Sequence, residues 1–337
     1  MKLFAVTILV VGLPVGGVMA YNYYIDPFWT FTHENEDNAA QLGFNERIQK
    51  TNWLNARAPL QANSLMIGTS RTTYINADNF DKPLFHYGLS SLHITEYLDF
   101  MKYAEKQNGQ PFETIYMEIT SRSYDTAYRA TFTNPNATIA ETNKEFYRIT
   151  NLFSYDTYLQ SKENAQTAAD NFSPKPRIYD RDMNVTTFFE SKDIDRRLEL
   201  YQYNIDKREK RNGFENLYNP EYKQILLDIK ESFPNANFVA FNDVMLMDRL
   251  HITLSNEHLR AAYKRNIEEV VDVFGVFYSF HIENDITTEH SRYFDLFHFY
   301  PETGDEVAKA LQQPDNSPLI FAVTKDNMNE YFALLGI

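Results

Sequence analysis

"SLMIGTSRTT", residues 64–73, runs three apolar residues, Leu65, Met66 and Ile67, into Gly68, Thr69, Ser70 and Arg71. A short buried strand that ends in glycine and small hydroxyl residues is how α/β enzymes present a side chain at the carboxyl end of a sheet. Ser70 is therefore either a nucleophile or a helix cap, since Ser ahead of a helix also satisfies orphan N–H groups. Outward from this stretch, "LFHYG", "ETIYMEI", "ANFVAFN" and "VFYSFH" read as further strands. Between them "LHITEYLDFMKYAEK", "YKQILLDIKESF", "NEHLRAAYKRNIEEVVDVF" and "ETGDEVAKALQQ" read as helices, the third with Leu259, Tyr263, Ile267, Val270 and Val271 on one face. Strands alternating with helices, without hairpin turns, predict an α/β fold with a parallel sheet covered on both faces.

Composition narrows the function classes. A net charge of −14 leaves no basic field to displace counterions from phosphates, so nucleic acid is not an expected partner. Cysteine is absent, which excludes structural disulfides, Cys-ligated zinc and thiol catalysis. After Lys2, "LFAVTILVVGLPVGGVMAYNYY" carries no charge until Asp26. Its apolar part is long enough for a marginal membrane span, weakened by Pro14 and glycines. "VMA" at Val18, Met19 and Ala20 also suits a cleaved signal peptide. Tyr21, Tyr23, Tyr24, Phe28 and Trp29 suit an interfacial aromatic belt after a retained anchor, the reading favoured here. Either way the bulk of the chain is expected outside the cytoplasm.

The expected organisation is a membrane or signal-anchor segment over 1–24, a helical linker over 25–63, an α/β domain over 64–315 and an extension over 316–337. "NERIQKTNWLNAR" gives the linker a helical look. An insertion at about 123–218 is rich in Asn, Thr, Tyr and Asp. Its "DIDRRLELYQYNIDKREKR" reads as a solvated helix face and its "FSPKPRIYDRDMNVTTF" as a loop.

The residues with chemistry lie near the far end, in "YFDLFHFYPETGDEVAKAL", residues 293–311. A carboxylate three residues before a histidine, Asp295 before His298, can hold one imidazole nitrogen and leave the other as a general base. Ser70 is then the nucleophile, although "GTSR" lacks the second glycine of G-x-S-x-G. Arg71 is a candidate for a salt bridge or for an anionic substrate, and His86 a candidate for lining the pocket. His281, Glu283, Asp285, Glu289 and His290 in "HIENDITTEH" invite a metal reading, but spacing alone does not supply convergence, and no metal or cofactor is expected.

"GTSR", the glycine of "YGLSS" and the closing "DLFHFYPETGD" together resemble the SGNH (GDSL-like) hydrolase superfamily, in particular bacterial membrane-anchored, envelope-facing members. Those also carry an N-terminal span, an aromatic D-P segment such as "YIDPFW", and a G-[ST]-S-R block. The likeness extends from Tyr24 to about Leu311 and is least clear in the insertion. It implies a three-layer α/β/α fold with a mainly parallel, flavodoxin-like sheet. It further implies Ser70 as nucleophile, His298 as base, Asp295 as its orienter, and an oxyanion hole from the backbone N–H groups of Ser70 and Gly88. The superfamily's Asn after the third strand is missing: "IYMEITSRSYD" offers Glu118, Thr120, Ser121 and Ser123, and an ionised Glu118 cannot donate to an oxyanion. The implied function is an esterase or O-acyltransferase acting on an acylated envelope glycan or similar polymer, with a membrane acyltransferase as partner. The alternative is a catalytically weak or inactive relative that binds glycan or scaffolds such a partner.

Overall fold

Apolar runs become strands here because both their faces are covered. In the computed structural model, which describes residues 12–126, 134–172, 174–191, 193–211 and 213–337, the strands in chain order are β1 (Gln41–Leu42), β2 (Ser64–Gly68), β3 (Leu84–Gly88), β4 (Thr114–Ile119), β5 (Ile178–Tyr179), β6 (Val185–Thr186), β7 (Asn237–Asn242), β8 (Phe277–Ser279) and β9 (Phe321–Val323). Six of them form one sheet in the order β3-β2-β4-β7-β8-β9. All its pairings are parallel except β8 with β9. Leu65, Met66 and Ile67 of β2 have no exposed surface, and each contributes roughly 1.5–3 kcal/mol by burial. The chain lays β3 on one side of β2, then returns to build β4, β7 and β8 on the other. Strand order thus reverses beside β2, and the crevice at the carboxyl ends of β2 and β4 is where such sheets place their ligands.

Helices start and stop where the local chemistry dictates. Helix Ile94–Asn108 opens with a capping box, in which the His93 ring accepts from Thr95 N–H and Glu96 Oε2 accepts from His93 N–H. Helix Glu257–Phe274 starts where Asn256 Oδ1 accepts from His258 N–H and Leu259 N–H, and it buries Tyr263, Ile267, Val270 and Val271. Helix Pro301–Gln312 takes proline at its first position, where no N–H is needed.

Two compact units divide the described chain, residues 61–132 with 190–337, and residues 1–60 with 133–189. The first holds the six-stranded sheet. The second has the small antiparallel sheet β1-β5-β6 and a core that includes Trp29, Trp53, Ile178 and Tyr179. In it Asp26 ends helix Leu13–Ile25 in a left-handed turn, accepts from Thr30 N–H at 2.8 Å and pairs with buried Arg181 at 2.8 Å.

This partition differs from the one expected. The stretch read as a linker contains helix Glu46–Arg57 and shares a unit with much of the insertion. The loop "FSPKPRIYDRDMNVTTF" carries β5 and β6, each only two residues long and too short to show a period. The C-terminal extension supplies β9, an antiparallel edge strand of three residues. Much of the expected N-terminal span, residues 1–11, lies outside the described residues. Among those described, no helix is long and apolar enough to cross a membrane.

Candidate active site

Ser70 follows β2 directly. Glycine occupies the last position of that strand because a Cβ there would meet Thr72 Cγ2 at 2.4 Å and Glu118 Cβ at 2.7 Å. The turn after it is held from both sides. Thr69 N–H donates to Glu118 Oε2 at 2.6 Å, and Leu89 N–H donates to Gly68 O at 2.9 Å. The Thr72 and Thr73 hydroxyls donate back to the Thr69 and Ser70 carbonyls, at 2.8 and 2.7 Å. Ser70 is left half-buried at the carboxyl end of β2.

His298 arrives from a turn that pairs Tyr293 with Phe299 and closes through Phe294 N–H to His298 O at 3.2 Å. Its Nε2 faces Ser70 Oγ at 2.9 Å across 228 residues of chain. Its Nδ1 lies 3.0 Å from each Asp295 carboxylate oxygen. With Nδ1–H donated to Asp295, Nε2 presents its lone pair to the serine hydroxyl. Asp295 Oδ1 also accepts from Phe297 N–H at 2.7 Å and His298 N–H at 2.9 Å. Burial opposes its ionisation, but the His298 contact and these donors prevail and hold the carboxyl below its ordinary range. The imidazole stacks on Phe294, centroids 5.6 Å apart and planes 5° from parallel, while Tyr74 meets its edge. Tyr74 is fixed in turn by Gly304, where a Cβ would lie 1.8 Å from Tyr74 O. The His298 and Asp295 side chains each keep 22 % of their surface exposed, so solvent and substrate can reach them.

The remaining sequence candidates sit elsewhere in this architecture. Arg71 points inward: its guanidinium pairs with Asp243 at 2.8 Å and Glu118 at 3.4 Å, with 9 % of its side chain exposed. It is part of the floor under Ser70, neither a surface salt bridge nor an open anion site. His86 is buried, its Nε2 2.8 Å from Thr72 O and its Nδ1 accepting Gly88 N–H at 3.1 Å. It braces the β3 end and does not line an open wall, and it engages the Gly88 N–H expected for the oxyanion. Glu118 is buried and spends its carboxylate on Thr69 N–H and Arg71. Burial pushes its pKa up, opposed by Arg71 and reinforced by the charge of Asp243.

"HIENDITTEH" does not converge. His281 is turned into the core, whereas His290 contacts Asp248 at 2.8 Å and Asp195 at 3.2 Å on the outside. Among the described residues no group of metal-type ligands is placed to hold an ion. Asp243 went unread in the sequence, although a carboxylate just past a buried parallel strand was a usable signal. So did Arg249, whose guanidinium lies 4.4 Å from the Phe297 ring centroid and 4.0 Å from Asp243 Oδ2. It reaches a small cavity also lined by Thr120, Tyr124 and Asn242.

His281 gives the floor a pH signature. Its Nε2 meets Asp243 O at 2.8 Å and its Nδ1 the Tyr263 hydroxyl at 2.9 Å. Burial pushes its pKa down from 6.5 to about 4, against the pull of the Asp243 charge. Between those values the unfolded chain binds more protons than the folded one, so stability falls as pH falls. We expect His281→Gln to remove about 2 kcal/mol from the stability difference between roughly pH 7 and pH 5. Urea unfolding at both pH values reads this, and an unchanged difference would mean that His281 titrates as it does in the unfolded chain.

No protein-family model and no curated protein matches this chain.

Proposed function

We propose that this protein is an SGNH-type serine esterase or O-acyltransferase that acts on an acylated cell-envelope glycan or similar polymer. Membrane anchorage by its N-terminal segment, with the bulk of the chain on the extracytoplasmic side, belongs to the same proposal. One observation carries the catalytic reading: the unbroken contact from Ser70 Oγ to His298 Nε2, at 2.9 Å, and from His298 Nδ1 to Asp295, at 3.0 Å. As Ser70 Oγ attacks an ester carbonyl, its proton moves to His298 Nε2, and the imidazolium is stabilised by Asp295. His298 then returns that proton to the departing alkoxide, leaving acyl-Ser70. Water, or a sugar hydroxyl, attacks the acyl group as His298 takes its proton, and His298 returns that proton to Ser70 Oγ as the acyl–Oγ bond breaks. Water makes the protein an esterase and a sugar hydroxyl makes it a transferase.

A second reading is favoured by two contacts. The stretch closing β4 offers Glu118, Thr120, Ser121 and Ser123 but no Asn donor, with Glu118 accepting from Thr69 N–H, and Gly88 N–H is directed at His86 Nδ1. Loss of one oxyanion donor costs about 10²–10³ in rate. A domain that binds glycan or scaffolds a membrane acyltransferase accommodates both features. The full chain treated with a fluorophosphonate probe separates the two readings. Labelling of the wild type that disappears in Ser70→Ala is the expected result, and a folded wild type that takes no label would sink the enzyme reading.

A further inference from the structure

The apolar N-terminal segment is described from residue 12 onward. It enters the described structure as helix Leu13–Ile25, residues 12–17 are exposed, and a Cβ at Gly16 or Gly17 would meet nothing within 4 Å. The other end of this helix is fastened by polar contacts. Buried Asn22 donates from Nδ2 to Leu152 O at 2.9 Å and Ser154 O at 3.2 Å, and its Oδ1 accepts from the Ser161 hydroxyl at 3.1 Å. The Tyr21 hydroxyl donates to Ser161 O at 3.4 Å. The fastening point is therefore the corner between helices Tyr147–Phe153 and Tyr155–Ala169.

That corner is apolar on its outside. Phe153 is 53 % and Tyr155 69 % exposed, and they flank the Ser154 carbonyl that holds Asn22. Ile149 continues the first helix face backward by one turn, Phe146 precedes that helix as its N-cap, and Leu159 continues the second forward by one turn, all of them exposed. Leaving large apolar groups in water is costly, and five of them exposed on two successive helices mark an interaction surface. Charge does not select the partner: Lys144, Arg148 and Lys162 are matched by Glu145, Asp156 and Glu163 in the same stretch. What selects it is continuity, because the helix fastened at this corner begins, at Leu13, inside the uncharged stretch of residues 3–20.

We propose that the corner formed by Phe146, Ile149, Phe153, Tyr155 and Leu159 is a footing that lies in the headgroup region of a lipid bilayer, beside the point where the N-terminal helix leaves it. The proposal rests on the anchor reading above. Aromatic and aliphatic side chains on a helix face partition into that interface by apolar contact, and balanced charge makes the footing indifferent to anionic lipid and to salt.

The absence of cysteine allows a clean test on the full chain. Single nitroxide labels are placed through Val15→Cys, Phe153→Cys, Tyr155→Cys and, as a water-facing control, Asp182→Cys, at an exposed charged position of the same unit. The variants are reconstituted into phosphatidylcholine vesicles, and relaxation by oxygen is compared with relaxation by a water-soluble nickel chelate. Labels at Val15, Phe153 and Tyr155 that favour oxygen, with Asp182 favouring nickel, are the expected result. A lipid-facing Val15 with Phe153 and Tyr155 accessible to nickel like the control leaves the anchor standing and overturns the footing. Labels at Phe153 and Tyr155 shielded from both reagents indicate a protein contact and also overturn it. Nickel access at all four positions removes the anchor reading together with the footing.

Discussion

His298→Ala is expected to lower turnover of an activated acyl ester by about 10⁴-fold or more, with the fold intact. The side chain keeps 22 % of its surface exposed and is braced by Phe294 and Tyr74, so truncation removes the proposed base without opening a deep core cavity. The loss should not add to that of Ser70→Ala, because a nucleophile and its base act as one unit and either deletion already disables it. Asp295→Asn offers a finer test. An amide in that place can donate to Nδ1 and so favours the tautomer with its proton on Nε2, facing Ser70, at a cost on the order of 10⁴ in rate. kcat/KM on a p-nitrophenyl ester, with circular dichroism to check folding, reads all three variants. Wild-type turnover in His298→Ala would show that the observed hydrogen bonds do no chemistry.

Arg71→Met is expected to destabilise the sheet-bearing unit by about 3–5 kcal/mol. The guanidinium separates Glu118 and Asp243, whose side chains are 1 % and 2 % exposed. Methionine fills similar space and leaves two carboxylates buried together, with Arg249 4.0 Å from Asp243 as the next cation. The penalty is that of uncompensated charge and not of a lost favourable contact. Glu118→Gln should therefore cost less, about 1–3 kcal/mol, since an amide oxygen can still accept Thr69 N–H. Pairing Arg71→Met with Asp243→Asn should restore part of the loss, as coupled sites do. Urea unfolding of the four chains gives the comparison, and an Arg71→Met protein of wild-type stability would contradict this account of the floor.

Much of the site was legible locally. Asp295 and His298 are three residues apart, and one tight turn brings the carboxylate onto Nδ1 while its oxygen also takes two backbone N–H groups. The small residues of "GTSR" mark where the chain must turn, and the contacts that a Cβ at Gly68 would make show why nothing larger fits. Arg71 and His86 misled for one shared reason. A polar side chain next to a nucleophile reads as a substrate contact until its burial is known, and here both are consumed by neighbours, Arg71 by two carboxylates and His86 by Thr72 O and Gly88 N–H.

The sequence by itself determined the sheet-and-helix pattern. A parallel strand covered on both faces needs a continuous apolar run, and a half-buried helix needs its 3.6-residue stripe. Both are properties of neighbouring residues. Only the tertiary structure decided which distant groups meet. Ser70 and His298 come together because the chain, having passed through β8, returns to the carboxyl end of β2 with the Tyr293–Phe299 turn. Glu118 and Asp243 share Arg71 because β4 and β7 are adjacent, and residues 133–189 fold into one unit with residues 1–60. Such pairings come from chain closure over tens to hundreds of residues, and no local periodicity encodes them. Burial then sets the chemistry of each group, so the same arginine that would be a solvated charge on a surface becomes the counter-ion beneath a serine.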